Sequence, residues 1–435
     1  MRWLLFTLLG ACSFSARAAD VTSDADVTSD ALASTCAPNA TACDGRVRKV
    51  CGADGHWDTT LETVCDFTCS AGACVVASNV PLPDVKMCTS AGPALTPPAG
   101  ATVTLSSTGG VHLDCLPECG NSVTRIDAMA TLTNVTPSLT WFCLGSIDIP
   151  SGVQLVASQT AAPDSAIAFV VDGAVSIAGT ISLDGGSATS STQGGPAGPG
   201  GFAGSDLTSS ANSDGHGPCA GKGGDHDGPF IGDHWIGGGG GGGGNATAGA
   251  AGGKGQCVNG DHDGNGGSPS AASCSMPALI PLVGGSGGGA GGDGTVNVDQ
   301  GWAGGGGGGA LQISSRASIA ITGSISARGG NGYGEQSVDG GGGGGAGGAL
   351  LFEAPALTLG GMLVVDGGAG GSSGAGAGGA GGTATSTAGV GASFQGRGQG
   401  GSGGGGGAGR VRMNGGNATC PVTAAGCSTG VLVPQ

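Results

Sequence analysis

Long stretches of this chain have no side chains at all. Glycine runs without interruption from Gly237 to Gly244, Gly304 to Gly309, Gly340 to Gly345 and Gly403 to Gly407. Glycine loses more backbone freedom on ordering than any other residue and gives a core nothing to pack. Two readings follow. The runs are either flexible solvated loops, or extended strands lying against neighbouring loops, where the missing Cβ atoms let backbones approach closely. With 101 glycines in 435 residues, 3% aromatic and 10% charged, an ordinary close-packed fold of this length is excluded.

What remains for a core is a short alternating pattern. Val175, Ile177, Gly179, Ile181 and Leu183 lead to Asp184-Gly185-Gly186. The pattern recurs as Ile319, Ile321, Gly323, Ile325 and Ala327 before Arg328-Gly329-Gly330, and as Leu357, Leu359, Gly361, Leu363 and Val365 before Asp366-Gly367-Gly368. A degenerate copy is Ile147, Ile149, Ser151, Val153 and Leu155. Period-two alternation predicts strands with one buried face, so Val175, Ile177, Ile181 and Leu183 are expected inward. Short apolar pieces precede three copies (Ala168 to Val170, Leu311 to Ile313, Leu350 to Phe352), and Arg410 to Met413 closes the series. A two-strand unit repeated in one order predicts the stacked coils of a solenoid.

The formal charge of −16 is spread over scattered aspartates. No basic patch exists, which excludes nucleic acid as a partner. Residues 1–18 read as a signal peptide, with Arg2 before an apolar run and a small-x-small site at Ala16-Arg17-Ala18. The alternative is a lipobox, Leu9-Gly10-Ala11-Cys12, which would make the chain an outer-membrane lipoprotein through Cys12. No later stretch reaches the ~18 apolar residues of a spanning helix. Sixteen cysteines suit disulfides in an oxidising compartment.

Residues 19–35, with Asp-Val-Thr-Ser-Asp-Ala twice, read as an acidic linker. Residues 36–74 form a cysteine module: Cys36, Cys43, Cys51, Cys65, Cys69 and Cys74 allow three bridges in fifteen connectivities. Zinc on Cys65, Cys69 and Cys74 is the rival reading. Asp44-Gly45 and Asp54-Gly55 signal turns, with a small hairpin around Arg46 to Val50. Residues 75–139, rich in Pro, Ser and Thr, read as a cap for the first coil, and Cys88, Cys115, Cys119 and Cys143 supply two further bridges. The coils are expected over 140–413, with a glycine-rich insertion at about 187–309. In the tail, 414–435, Cys420 and Cys427 lie close enough to pair.

The insertion holds a near-duplication. Cys219 precedes Asp225-His226-Asp227-Gly228, and Cys257 precedes Asp261-His262-Asp263-Gly264. Asp261, Asp263 and Asn265 match the first half of a calcium loop, where alternate oxygens turn inward, and Asp225 and Asp227 repeat it in part. Ala272 stands where the closing carboxylate belongs. A transition metal on His216, His226, His234 and His262 is a further option. The plainer reading is polar loop residues with a Cys219–Cys257 bridge joining the two arms, Cys274 being the rival partner.

Catalytic signals are absent. No serine lies in G-x-S-x-G, and no phosphate-binding G-x-x-x-x-G-K-[ST] exists. Asp184, Arg328 and Asp366 align before Gly-Gly, either as a charged stripe for carbohydrate chemistry or as ordinary corner residues, because Asp-Gly suits tight turns. Trp302 and Tyr333 are loop aromatics that either stack on sugar or anchor their loops.

The stretches GGGGGAGGALLF…LTLGGMLVVDGG and GGGGGAGRVRMN resemble a group of glycine-rich exported proteins of Gram-negative bacteria, many with a cysteine module in front. The resemblance covers roughly 36–74 and 165–413. It implies a mainly β fold, a right-handed parallel β-helix with glycine-rich loops, placed on or outside the cell surface, and it carries no catalytic motif. The expectation is therefore a non-enzymatic secreted or cell-surface structural or adhesive protein. Its expected partners are extracellular polysaccharide or cell-envelope components, with no cofactor unless calcium. The alternatives are a polysaccharide-acting enzyme and a calcium-stabilised binding module.

Overall fold

The computed structural model describes residues 35–81, 84–85, 88, 92–108, 110–158, 164–207, 213–225, 236–256, 264–271, 274–294, 301–393, 399–416, 419–420 and 426–434. The expected signal peptide and Cys12 lie outside them. The chain is mainly β.

The cysteine module comes first. β1 (Thr41–Asp44), β2 (Val47–Cys51) and β3 (Trp57–Val64) form an antiparallel sheet, followed by the β4 (Thr68–Ser70) and β5 (Ala73–Val76) hairpin. Its turns fall at Gly45 and Gly55, both at positive φ, as the Asp-Gly pairs predict. Three disulfides, Cys36–Cys51, Cys43–Cys69 and Cys65–Cys74, staple these few residues, with Cα separations of 5.9, 5.5 and 5.1 Å in the usual range.

Next in order are β6 (Ala94–Leu95), β7 (Thr102–Ser106), β8 (His112–Leu116), β9 (Arg125–Asp127) and β10 (Ala130–Leu132). Each following unit supplies three strands: β11 (Leu139–Leu144), β12 (Ser146–Ile149) and β13 (Gln154–Ala157); then β14 (Ala166–Val171), β15 (Val175–Ile177) and β16 (Thr180–Ser182). After the insertion come β17 (Ala310–Ser315), β18 (Ser318–Ile321) and β19 (Ser324–Ser326). In the next unit β20 (Ala349–Leu359) spans two positions before β21 (Met362–Val364). β22 (Arg410–Gly416), β23 (Cys427–Gly430) and β24 (Val433–Pro434) end the series.

These strands stack into three parallel ladders: β11-β14-β17-β20-β22-β23, β6-β12-β15-β18-β20 and β7-β13-β16-β19-β21. β6 and β7 pair parallel with β12 and β13, so the ladders start inside the stretch read as a cap. The antiparallel strands β8, β9 and β10 cover the edges of β7 and β11.

The alternation does what its period dictates. Val175, Ile177, Ile181 and Leu183 are buried, in one core with Phe142, Phe169, Ile313, Phe352 and Met413. In the first ladder β11, β14 and β17 are buried on both faces, as parallel sheets usually are. Their outer residues Trp141, Val170 and Leu351 meet Phe67, Val75, Val80 and Val85 of the N-terminal region and Leu279 and Leu282 of the insertion.

The glycine runs take the second of their two readings. Residues 340–348 form an extended strand whose hydrogen bonds repeat every third residue. Gly341, Gly344 and Gly347 donate to Gly401, Gly404 and Gly407 at 2.9 Å. Gly342, Gly345 and Gly348 donate to Tyr333, Gly330 and Ala327, and Gly340, Gly343 and Ala346 to Gly292, Gly289 and Ser286. Its carbonyls accept from Gly240 and Gly243, from Trp302, Gly305 and Gly308, and from Gly368 and Gly371. Six neighbouring segments thus surround one strand. Three residues per turn without internal hydrogen bonds is polyproline II geometry. Each amide and carbonyl points to one of three directions, and all of them find partners.

Close approach requires glycine here. At Gly342 a Cβ would lie 2.6 Å from the Ala303 carbonyl carbon and 2.7 Å from the Trp302 oxygen. A buried unpaired backbone group is costly, so the lattice replaces side-chain packing with complete backbone pairing. The insertion adds layers to it: Gly238, Gly241 and Gly244 donate to Asp225, Lys222 and Cys219, and Gly239 and Gly242 to Gly253 and Ala250. The chain then re-enters the ladders in register. Ser182 and Ser326 pair in register, and Asp184 and Arg328 meet by a hydrogen bond, across the same 144-residue separation.

The remaining disulfides are Cys88–Cys143, Cys115–Cys119, Cys219–Cys274 and Cys420–Cys427. The expected Cys219–Cys257 bridge is therefore corrected: Cys219 pairs with Cys274, at a Cα separation of 5.8 Å. Lattice strands adjacent in space are not adjacent in sequence, and Asn245, one residue past a run ending beside Cys219, accepts the Cys274 amide. Cys257 lies outside the described residues. Seven disulfides among the described residues suit an oxidising, extracellular or periplasmic environment. Among the described residues no helix is long and apolar enough to cross a membrane.

Candidate functional site

The charged stripe sits where strands of the third ladder give way to the glycine lattice. Three successive units put Asp184, Arg328 and Asp366 in one column: Gly185 N donates to Arg328 O and Gly329 N to Asp366 O, at 2.8 and 2.9 Å. Asp184 is committed to the corner. Its Oδ1 accepts the Arg328 amide at 2.6 Å, and its Oδ2 accepts the hydroxyls of Ser182 and Ser326 at 3.1 Å each. Partial burial raises the Asp366 carboxyl above its usual range, and the charge of Arg328 opposes that rise. The nearby outward positions are Thr180, Ser182, Ser324 and Ser326, half-buried hydroxyls. The column provides turn geometry and a row of hydroxyls.

Trp302 and Tyr333, distant in sequence, come together because Tyr333 N donates to Ala303 O across two lattice strands. Their ring centroids are 5.4 Å apart at a 56° tilt. The indole N–H donates to Ser337 Oγ at 3.2 Å, and the phenol to Glu335 Oε1 at 2.6 Å, which raises the Tyr333 pKa. Both polar tips are thus tied to the 331–339 turn. Asp339 in that turn accepts from Gly294 N and Ser337 Oγ, and burial raises its carboxyl. The pair anchors its loop.

Of the calcium candidates, Asp227, Asp261 and Asp263 lie outside the described residues, as do His226, His234 and His262. Asp225 and Asn265 are described, and Asp225 N donates to Asn265 O at 2.8 Å, so these two positions lie next to each other. Among the described residues no group of three or more His, Cys, Asp or Glu is placed to hold a metal.

Among the buried charged residues that escaped the sequence analysis are Glu353 and Arg316. Glu353 is fully buried and accepts from Ser78 N and Oγ, Gln312 Nε2, Ser314 Oγ and Asn414 Nδ2, at 2.6–3.2 Å. Arg316 donates to the carbonyls of Asp66, Val85 and Cys88 and forms an ion pair with Asp172. These two clamps fasten the N-terminal region to the first ladder. The signal was one charged residue in each of two otherwise apolar or hydroxyl-bearing stretches, Glu353 within β20 and Arg316 in the bend after β17. A polar cleft at the tip of the cysteine module, beside Trp57, was also missed, because Asp54-Gly55 reads only as a turn.

No family model, curated protein or solved structure matches the chain.

Proposed function

We propose that this chain is a right-handed parallel β-helix, exported to the cell surface or beyond, that acts as a non-enzymatic structural or adhesive protein. The observation that carries this reading is the glycine lattice: residues 340–348 satisfy their backbone groups against six neighbouring segments, which makes a dense, inert body from almost no side-chain chemistry. The three parallel ladders, in register from unit to unit apart from a shift between β20 and β22, support the β-helix. The disulfides support export, with secretion or lipid attachment at Cys12 as the two routes. Extracellular polysaccharide and cell-envelope material are the proposed partners, and no cofactor is assigned.

The polysaccharide-acting enzyme is the weaker reading, because both oxygens of Asp184 serve the corner. The calcium-stabilised module draws on the backbone contact between Asp225 and Asn265. One experiment separates the three. Purified protein is incubated with a panel of neutral and acidic polysaccharides, with and without calcium, and both co-sedimentation and release of reducing ends are measured. Co-sedimentation without new reducing ends is expected. Depolymerisation would overturn the reading, and binding that needs calcium would favour the module.

A further inference from the structure

We infer that the cleft at the tip of the cysteine module is a saccharide-binding site for a neutral or amine-bearing sugar residue. This inference rests on the adhesive reading and names its contact. The cleft holds about 460 Å³ and is lined by Gly52, Asp54, His56, Trp57, Asp58 and Thr59, within the size range of small-ligand sites.

The chemistry of that lining is specific. The indole of Trp57 offers a flat π surface, negative on its face, which attracts the polarised C–H bonds on the apolar side of a pyranose. Around it stand acceptors (Asp54 and Asp58) and groups able to donate (His56 and Thr59), the mixture a polyhydroxylated ring needs. The carboxylates are fixed in place. Asp54 Oδ1 accepts the His56 amide at 3.1 Å, and Asp58 Oδ1 accepts both the amide and the hydroxyl of Thr60, at 2.8 and 2.6 Å. Gly52 lines the cleft: a Cβ there would lie 2.8 Å from Asp54 Oδ1 and 3.7 Å from Asp58 Cβ, so a larger residue would crowd both acidic side chains.

The frame is rigid. Cys51, adjacent to Gly52, is disulfide-bonded to Cys36, and Gly52 N donates to His56 O at 2.8 Å. Little ordering remains to be done on binding, which favours affinity from a small contact. The charges set the selectivity. Hydrogen bonds from Thr60 hold the Asp58 carboxyl below its usual range, so acidic sugars are repelled while neutral and amine-bearing ones are admitted.

The test uses the full oxidised protein and titrates three oligosaccharide probes calorimetrically: a neutral glucan, a glucosamine oligomer and a galacturonate oligomer. Binding of the first two, and at least tenfold weaker binding of the third, is expected. Trp57→Ala should weaken glucan binding at least tenfold, and Trp57→Phe, which keeps an aromatic face, should restore most of it. Disulfide mapping of both variants shows whether the module is intact, and Trp302→Ala should bind like wild type. Tightest binding of galacturonate, or unchanged binding in an intact Trp57→Ala protein, would overturn the site. If that variant still co-sediments with polysaccharide as wild type does, the cleft fails while the adhesive reading stands. If wild type co-sediments with none of the panel, the adhesive reading itself fails.

Discussion

Placing one methyl group inside the glycine lattice should cost as much as a large core mutation. In Gly342→Ala the new Cβ would stand 2.6 and 2.7 Å from backbone atoms of Ala303 and Trp302, and closer still to the Ala303 oxygen. No side chain can move aside, so the 302–308 segment must shift. Three bonds onto the central strand then weaken: those from Trp302, Gly305 and Gly308 to Gly340, Gly343 and Ala346, now 3.2, 2.9 and 2.9 Å. At about 0.5–1.5 kcal/mol net for each bond, plus about 1–3 kcal/mol for overpacking, the penalty is roughly 3–7 kcal/mol. The stiffer unfolded chain of an alanine variant returns about 0.4–1 kcal/mol. Taking about 2 °C per kcal/mol for a long chain, the Tm should fall by roughly 5–12 °C. Gly360→Ala is the control, because nothing lies within 4 Å of its added Cβ, and it should stay within about 0.5 kcal/mol of wild type. Calorimetric or circular-dichroism melts of the oxidised proteins decide it. Equal melting of Gly342→Ala and Gly360→Ala would refute close backbone packing.

Ile181→Asp would bury an unpaired carboxylate in the shared core, where Ile181 is 1% exposed, and should cost several kcal/mol, about 3–5; a melt like wild type would place Ile181 on an outer face. Because burial raises the folded-state pKa of Asp366, its contribution is fully present below the unfolded carboxyl pKa of about 4 and is lost as pH rises through the higher folded value. Asp366→Asn should therefore gain Tm relative to wild type between pH 3 and pH 7, and a relative loss over that interval would reverse the assignment. Peptide mapping of the unreduced protein should recover Cys219 joined to Cys274; Cys219 joined to Cys257 would restore the pairing read from the duplication.

What could be read from the sequence was whatever side chains announce. Alternation placed Val175, Ile177, Ile181 and Leu183 inward, and the cysteine count matched the three bridges of the module. Ala94–Leu95 is too short to show a period, so the ladders appeared to begin later than they do. The lattice, one of the two readings open for the glycine runs, could not be laid out strand by strand for a different reason. Its period of three is a property of hydrogen-bond directions, and a run of identical residues carries no trace of it. The same blindness favoured Cys257 over Cys274 as the partner of Cys219 and hid the contact between Trp302 and Tyr333, since strand order in the lattice does not follow the chain. Glu353 and Arg316 went unnoticed because their partners, Ser78 and Asp66 among them, lie far away in sequence.

Amide hydrogen exchange of Gly340–Gly348 tests the central claim most directly. These residues are buried and their amides are all bonded to neighbouring segments, so they should exchange with the slowest class, alongside the amides of β17 and β20, through global rather than local opening. Exchange at the rate of a free loop, complete before the strand amides have begun, would show the glycine runs to be solvated chain and would contradict the lattice.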